Sequence, residues 1–305
     1  MHAAATEARS AALRTLLRSL GQIVLQPNAF TGACLLAGWL LADPRLACAA
    51  LMGAVAANVS AVLAGYREDE TRAGLHGFNG ALAGLAAFSF IADNATAAAV
   101  AILAGTATAW LLEPWSRWSG AHRLGVFSSP CLIVTWLWLP MLARTAPSAS
   151  FAVEPMPGLA RWCGGVLAGL AQTGFGAGAL PGLLVLIGIA AASRKHAAWA
   201  LIGACVASAA QLLLTGAASR SFDAGLLGFN GALTALALAE GGILSTLAGV
   251  LLSVMLQTAA VYVGWPVMTA PFVLATWSMQ IIRQRFEHAS SEAAPAQRER
   301  SRIAP

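Results

Sequence analysis

The sequence predicts an all-α polytopic membrane protein of about ten transmembrane helices, with two inverted five-helix repeats around a central pore. Three observations predict it. Of 305 residues, 58% are hydrophobic and only 10% charged, with a mean hydropathy of +0.70. Soluble domains carry about 25% charged residues, so a water-exposed globule is excluded. Charged residues divide the chain into long apolar runs, and a membrane helix needs roughly 20 apolar residues. Three blocks then recur in the same order in the two halves, the mark of an internal duplication.

Taken in chain order, residues 1–18 read as a cytoplasmic N-terminal segment, because Arg9, Arg14 and Arg18 outnumber Glu7 and basic flanks stay inside. A basic start, compact apolar core and cleavage site are all missing there, so no cleaved signal is expected. The apolar runs are 19–42, 46–66, 73–92, 94–112, 124–143, 162–193, 196–219, 224–239 and 241–282. The last is long enough for two helices. Residues 19–143 form the first inverted repeat and 162–282 the second. Between them, 144–161 holds Pro and Ser with Arg144, Glu154 and Arg161 and reads as the inter-repeat linker. Residues 283–305, with Arg283, Arg285, Arg298, Arg300 and Arg302, read as a disordered basic cytoplasmic tail. Both ends on one side require an even number of spans. Runs interrupted by Gly and Pro are expected to contain half-helices, since freed backbone groups at membrane depth survive only against protein or a lined cavity.

In the first block, Gly21-Gln22-Ile23-Val24-Leu25 aligns with Ala171-Gln172-Thr173-Gly174-Phe175. In the second, Gly74 to Leu82 matches Gly225 to Leu233 at eight of nine positions, His76 facing Leu227 as the exception. In the third, Ser128-Ser129-Pro130 through Trp136 aligns with Thr269-Ala270-Pro271 through Trp277. If ten spans divide equally, each half has five and the second enters from the opposite side. Such an inverted duplication places substrate at the repeat interface near the midplane.

The blocks carry a consistent chemistry. Ser128 with Pro130, and Thr269 with Pro266 and Pro271, pair a hydroxyl with residues that cannot donate to the carbonyl four positions back. If these segments are helical, the Val126, Val267 and Tyr262 carbonyls are freed as acceptors. Capping of each by a neighbouring hydroxyl or water is the ordinary alternative, but two matched copies favour a pore lining. Gln22 and Gln172 are matched amides in apolar surroundings, where an unsatisfied amide costs roughly 2–7 kcal/mol. They either bridge helices or face a polar path. Phe78 with Leu82, and Phe229 with Leu233, lie four apart on one helix face. Beside the small Gly77, Gly80, Gly228 and Gly231 they suggest a narrow apolar slot, to which Leu25 and Phe175 belong by position. His76 has no histidine partner nearby and reads as structural or as a pore-mouth residue. Glu113 and Glu240 read as charges at run ends.

Other classes find little support. Ion-coupled carriers normally place ionisable residues inside the bilayer, and no charge is stranded there, so a neutral cargo is expected. The five scattered cysteines lack metal-ligand spacing and read as reduced, packed thiols. No cofactor, metal, catalytic residue or nucleic-acid surface is expected. A serine hydrolase built on Ser128 or Ser129 with His76 or His122 would need an asymmetric nucleophile and base, whereas Thr269 occupies the matching position without a histidine.

These residues resemble the urea transporter family, whose signature Leu-Pro-x-x-Thr-x-Pro-Phe occurs twice. Trp265 to Phe272 matches it everywhere except Trp265, and Leu124 to Cys131 keeps Leu124 and Pro130 with Ser128 in place of Thr. The Gly-Phe-Asn and Gln blocks resemble the family in the same order, from Gly21 to Trp277. The resemblance implies an inner-membrane homotrimer surrounded by lipid, one pore per subunit, with short re-entrant pore helices and a selectivity filter. It implies that Gln22 and Gln172 accept amide hydrogens at the two ends of the path and that Ser128 and Thr269 line its centre. Leu25, Phe78, Leu82, Phe175, Phe229 and Leu233 would form the flanking slots. The expected function is passive, channel-like transport of urea, not catalysis. A channel for ammonia or short-chain amides is the alternative, because Gly125 and Cys131 remove a proline and a ring from the first signature copy.

Overall fold

The computed structural model describes residues 2–142, 158–215 and 219–303. Most of the expected linker, and the end of the tail, lie outside them. The first seven helices are α1 (His2–Gln22), α2 (Ala29–Ala42), α3 (Pro44–Leu63), α4 (Glu68–Arg72), α5 (Gly77–Phe90), α6 (Asn94–Ala121) and α7 (Ser129–Leu142). The next seven are α8 (Leu159–Gln172), α9 (Ala179–Ala192), α10 (Arg194–Thr215), α11 (Ser219–Asp223), α12 (Phe229–Leu238), α13 (Ile243–Tyr262) and α14 (Ala270–Ile303). The five-residue helices α4 and α11 stand fourth in each set.

The chain is an all-α polytopic protein in which, among the described residues, four helices, α3, α6, α10 and α13, are long and apolar enough to cross a membrane. That is fewer full-length spans than the hydropathy runs suggest. α2, α5, α7 and α9 have 14 residues and α12 has 10. At 1.5 Å per residue a 14-residue helix rises about 21 Å, short of a ~30 Å hydrocarbon core. Local chemistry cuts the runs. Asp43 accepts from the Arg45 N–H with Pro44 at the helix start, ending α2 and opening α3 in one step. At the far end, α14 stays helical through 283–303, where composition predicts disorder; the Arg283–Glu287 pair at 2.8 Å spans one of its turns.

Close helix contact depends on small residues. A Cβ on Gly80 would overlap the Gly53 carbonyl and Ala57, joining α5 to α3, and a Cβ on Gly231 would meet the Gly203 carbonyl and Ala207, joining α12 to α10. With no water to satisfy backbone polar groups in lipid, such packing holds helices together by dispersion at short range. The two sets of helices meet through α2 and α9. The Thr31 hydroxyl donates to the Gly188 carbonyl at 2.8 Å, and Trp39 Nε1 to the Gly174 carbonyl at 2.7 Å.

Candidate functional site

Two pairs of chain turns build the site. The C-termini of α1 and α8 close identically. The Gln26 N–H reaches the Gly21 carbonyl and the Leu25 N–H the Gln22 carbonyl, while Gly176 bonds Ala171 and Phe175 bonds Gln172. This double closure is a Schellman arrangement, whose left-handed position normally takes glycine. Here Leu25 and Phe175 occupy it, both at φ 59°. A side chain held in that region costs roughly 1–2 kcal/mol, which marks both positions as places where a side chain is required.

The second pair precedes α7 and α14. Phe127 (φ 47°) and Met268 (φ 44°) are also left-handed. Each is held by a buried asparagine from the helix alongside. Asn79 donates to the Phe127 carbonyl and accepts from the Cys131 N–H, both at 3.1 Å. Asn230 donates to the Met268 carbonyl at 3.1 Å and accepts from the Phe272 N–H at 3.3 Å. Asn230 also donates to Gln257 Oε1 at 3.0 Å. Asn79 and Asn230 stand at matching places in the repeated Gly-Phe-Asn block, and the signal for their role is a matched amide inside an apolar helix, since a buried amide must find partners.

These turns bring the Ser128 and Thr269 hydroxyls within 2.7 Å of each other, both side chains buried. Their carbonyls receive the first helical N–H bonds of α7 and α14, from Leu132 and Val273. The prolines therefore lie in the first helical turn or before it, where no intrahelical bond is lost. Val126 accepts from the Ser129 N–H and hydroxyl, and Val267 from the Ala270 N–H. Pro130 and Pro271 therefore do not free the Val126 and Val267 carbonyls, which lie in the turns before α7 and α14 and accept these bonds instead, while Tyr262 is the last residue of α13. A carbonyl with one donor still offers a second lone pair.

Two cavities flank the hydroxyl pair. The first, about 280 Å³, is lined by Gln22, Leu25, Leu75, Phe78, Val126 and Phe127, with Glu70, His76, Leu112, Glu113 and Ser116. The second, about 610 Å³, is lined by the matching Gln172, Phe175, Leu226, Phe229, Val267 and Met268, with Thr269, Gln257 and Asp43 among others. Neither glutamine hydrogen-bonds to protein among the described residues, and Gln22 Oε1 is buried without a partner. The helix-bridging alternative therefore finds no partner for them. In the second cavity Phe175 meets Phe90 edge-on at 6.3 Å.

Leu82 and Leu233, one turn beyond Phe78 and Phe229, are 3% and 2% exposed and pack into the core without lining either cavity. Glu113 lies within α6, ahead of Pro114, and pairs with Arg117 at 3.0 Å. Glu240 does stand in a loop, beside Lys195 at 2.7 Å. His76, in the turn before α5 and outside the four spanning helices, is pulled below the usual histidine pKa by burial, with Glu70 and Glu113 opposing. Among the described residues, no group of three or more His, Cys, Asp or Glu is placed to hold a metal.

Tryptophans clasp the loops reciprocally. Trp136 of α7 donates to the Pro266 carbonyl at 3.2 Å, and Trp277 of α14 to the Gly125 carbonyl at 2.7 Å. These contacts hold both turns of the signature segments against the opposite helix.

No curated protein matches the chain. A family model described as Urea transporter matches residues 13–284, a stretch that holds both cavities, the hydroxyl pair and all four spanning helices. The chain therefore belongs to the urea transporter family and is an integral membrane protein with multiple spans.

Proposed function

We propose that the protein conducts urea passively across the bacterial inner membrane, through a path running from one cavity to the other past Ser128 and Thr269. The observation that carries this reading is the pairing of two cavities with matched linings on either side of the hydroxyl pair, in a chain of this family. Two inverted repeats, about ten membrane passes counting the short helices, and a homotrimer with one pore per subunit belong to the same proposal.

Urea is flat and uncharged, with one carbonyl acceptor and four amide hydrogens. Leu25 with Phe78, and Phe175 with Phe229, offer apolar walls to its faces. Gln22 and Gln172 offer amide oxygens at either end. Between them, the second lone pairs of the Phe127, Val267 and Met268 carbonyls supply a ladder of acceptors that replaces hydration stepwise, offsetting a desolvation cost of several kcal/mol. At the centre one hydroxyl must donate to the other. A passing urea exchanges that bond for an N–H···O bond, at a cost near the ~1 kcal/mol net worth of one hydrogen bond. No step changes the solute chemically or couples it to an ion.

The flanking charges support an orientation. Arg18 bonds the Arg72 carbonyl beside the first cavity. Gln284 reaches the His122 and Arg123 carbonyls, and His196, next to Lys195, meets Gln26 at 2.8 Å. Under the positive-inside rule this basic end would face the cytoplasm, so that the first cavity opens inward.

Stopped-flow flux in proteoliposomes with urea, acetamide and ammonia tests the reading. Fast urea flux with slow acetamide and ammonia supports a selective slot; equal rates for all three favour the small-amide or ammonia channel and overturn it.

A further inference from the structure

The two cavities differ most at one position. His76 lines the first, whereas the matching residue of the second block is Leu227. The imidazole is 1% exposed and stacks on Tyr66 at 5.5 Å with 27° between the rings. Its Nδ1 lies 2.9 Å from the Thr71 hydroxyl, which donates its single hydrogen to the Arg67 carbonyl at 3.1 Å. Both bonds form together only in the tautomer in which Nδ1 carries the ring hydrogen and donates to Thr71. Nε2 is left as a bare acceptor with no protein partner among the described residues. Gln22 Oε1, on the same cavity, is likewise unpartnered. An unpartnered amide oxygen and an imidazole nitrogen on residues of one cavity suit a solute rich in amide hydrogens, since a buried acceptor left without a donor is costly.

We propose that His76 is a specificity residue of the first cavity, its neutral Nε2 accepting an amide hydrogen of urea alongside Gln22 Oε1, so that urea is held there only while the imidazole is uncharged. The inference rests on the urea-path reading. Protonation places a hydrogen on Nε2 and converts the acceptor to a donor, which opposes the amide hydrogens. The charged groups facing His76 are Glu70 of α4 and Glu113 of α6, paired with Arg67 and Arg117. From α1, Gln22 is neutral and Arg18 is tied to the Arg72 carbonyl. Because the second cavity has leucine at this position, the effect belongs to one face of the membrane.

The test measures urea half-saturation by stopped flow in right-side-out and inverted membrane vesicles containing the full chain, with the outer solution at about pH 7.5 or about pH 4.5, the acid value set below the usual histidine range because burial pulls His76 down. Acid on one face alone is expected to raise half-saturation roughly threefold to tenfold, the worth of one net hydrogen bond. His76→Gln, which keeps an acceptor that does not titrate, is expected to abolish the acid rise. His76→Leu is expected to show the raised value at both pH values. An unresponsive or two-faced wild type overturns the proposal, as does an acid rise that persists in His76→Gln. Absence of any protein-dependent urea flux in the wild type at the higher pH overturns the urea-path reading instead. If His76→Leu does not fold, the one-faced response and the His76→Gln variant still decide.

Discussion

The hydroxyl of Ser128 lies 2.7 Å from that of Thr269, 141 residues away, and both belong to turns that begin a helix with proline in its first turn. A central hydroxyl pair of this kind is sensitive to removal of either member. Thr269→Val keeps the shape and leaves the Ser128 hydroxyl unpaired, a loss of about 1–3 kcal/mol for a buried polar group. Urea flux is expected to fall about tenfold or more, with Thr269→Ser retaining most of it, measured by stopped flow at matched protein density. Unchanged flux in Thr269→Val would remove the pair from the path.

Asn79 and Asn230 stabilise the turns that carry those hydroxyls. Asn79→Ala orphans the Phe127 carbonyl and the Cys131 N–H, which at about 1–3 kcal/mol per buried group gives about 2–6 kcal/mol of destabilisation. Asn230→Ala additionally strips a donor from Gln257 and is expected to be the more damaging. Thermal unfolding in detergent orders the two variants; equal wild-type-like midpoints would mean that water replaces both amides.

The tryptophan clasps predict a graded effect. Trp136→Phe loses one hydrogen bond, about 1 kcal/mol, and weakens one ring contact, with Trp265 at 5.7 Å. Trp277→Phe loses one hydrogen bond and weakens two ring contacts, with Trp115 and Trp118 at 6.5 and 6.2 Å, and is expected to lower the unfolding midpoint further. Midpoints in the reverse order would contradict this reading of the clasps.

Close helix packing predicts the sharpest loss of fold. Gly80→Ala and Gly231→Ala would each drive a methyl into a neighbouring backbone carbonyl and an alanine side chain. Rigid backbone cannot yield cheaply, and overpacking costs typically 1–3 kcal/mol or more. Both variants are expected to reduce the folded fraction in size-exclusion profiles. Gly120→Ala, with open space around it, is expected to behave as wild type.

Much of this protein is legible along the chain. Hydropathy is local, so a membrane protein made of helices follows from composition and runs alone, and the matched blocks single out Ser128 with Thr269 and Gln22 with Gln172 before any folding is considered. Helix ends are less legible. The run around Pro130 looks continuous in hydropathy, yet the helix starts at Ser129 because the preceding turn is captured by Asn79. Which carbonyl an amide meets depends on helices brought together from distant parts of the chain. The same holds for the Trp136 and Trp277 clasps and for the placement of Leu82 and Leu233 in the core. His76 is the clearest case. Its sequence neighbours make it look structural, but the approach of Thr71, Tyr66 and Gln22 leaves one nitrogen bare beside a cavity. Linear pattern specifies which side chains avoid water; only the long-range approach of helices specifies which polar atoms are satisfied by protein and which are left for a solute.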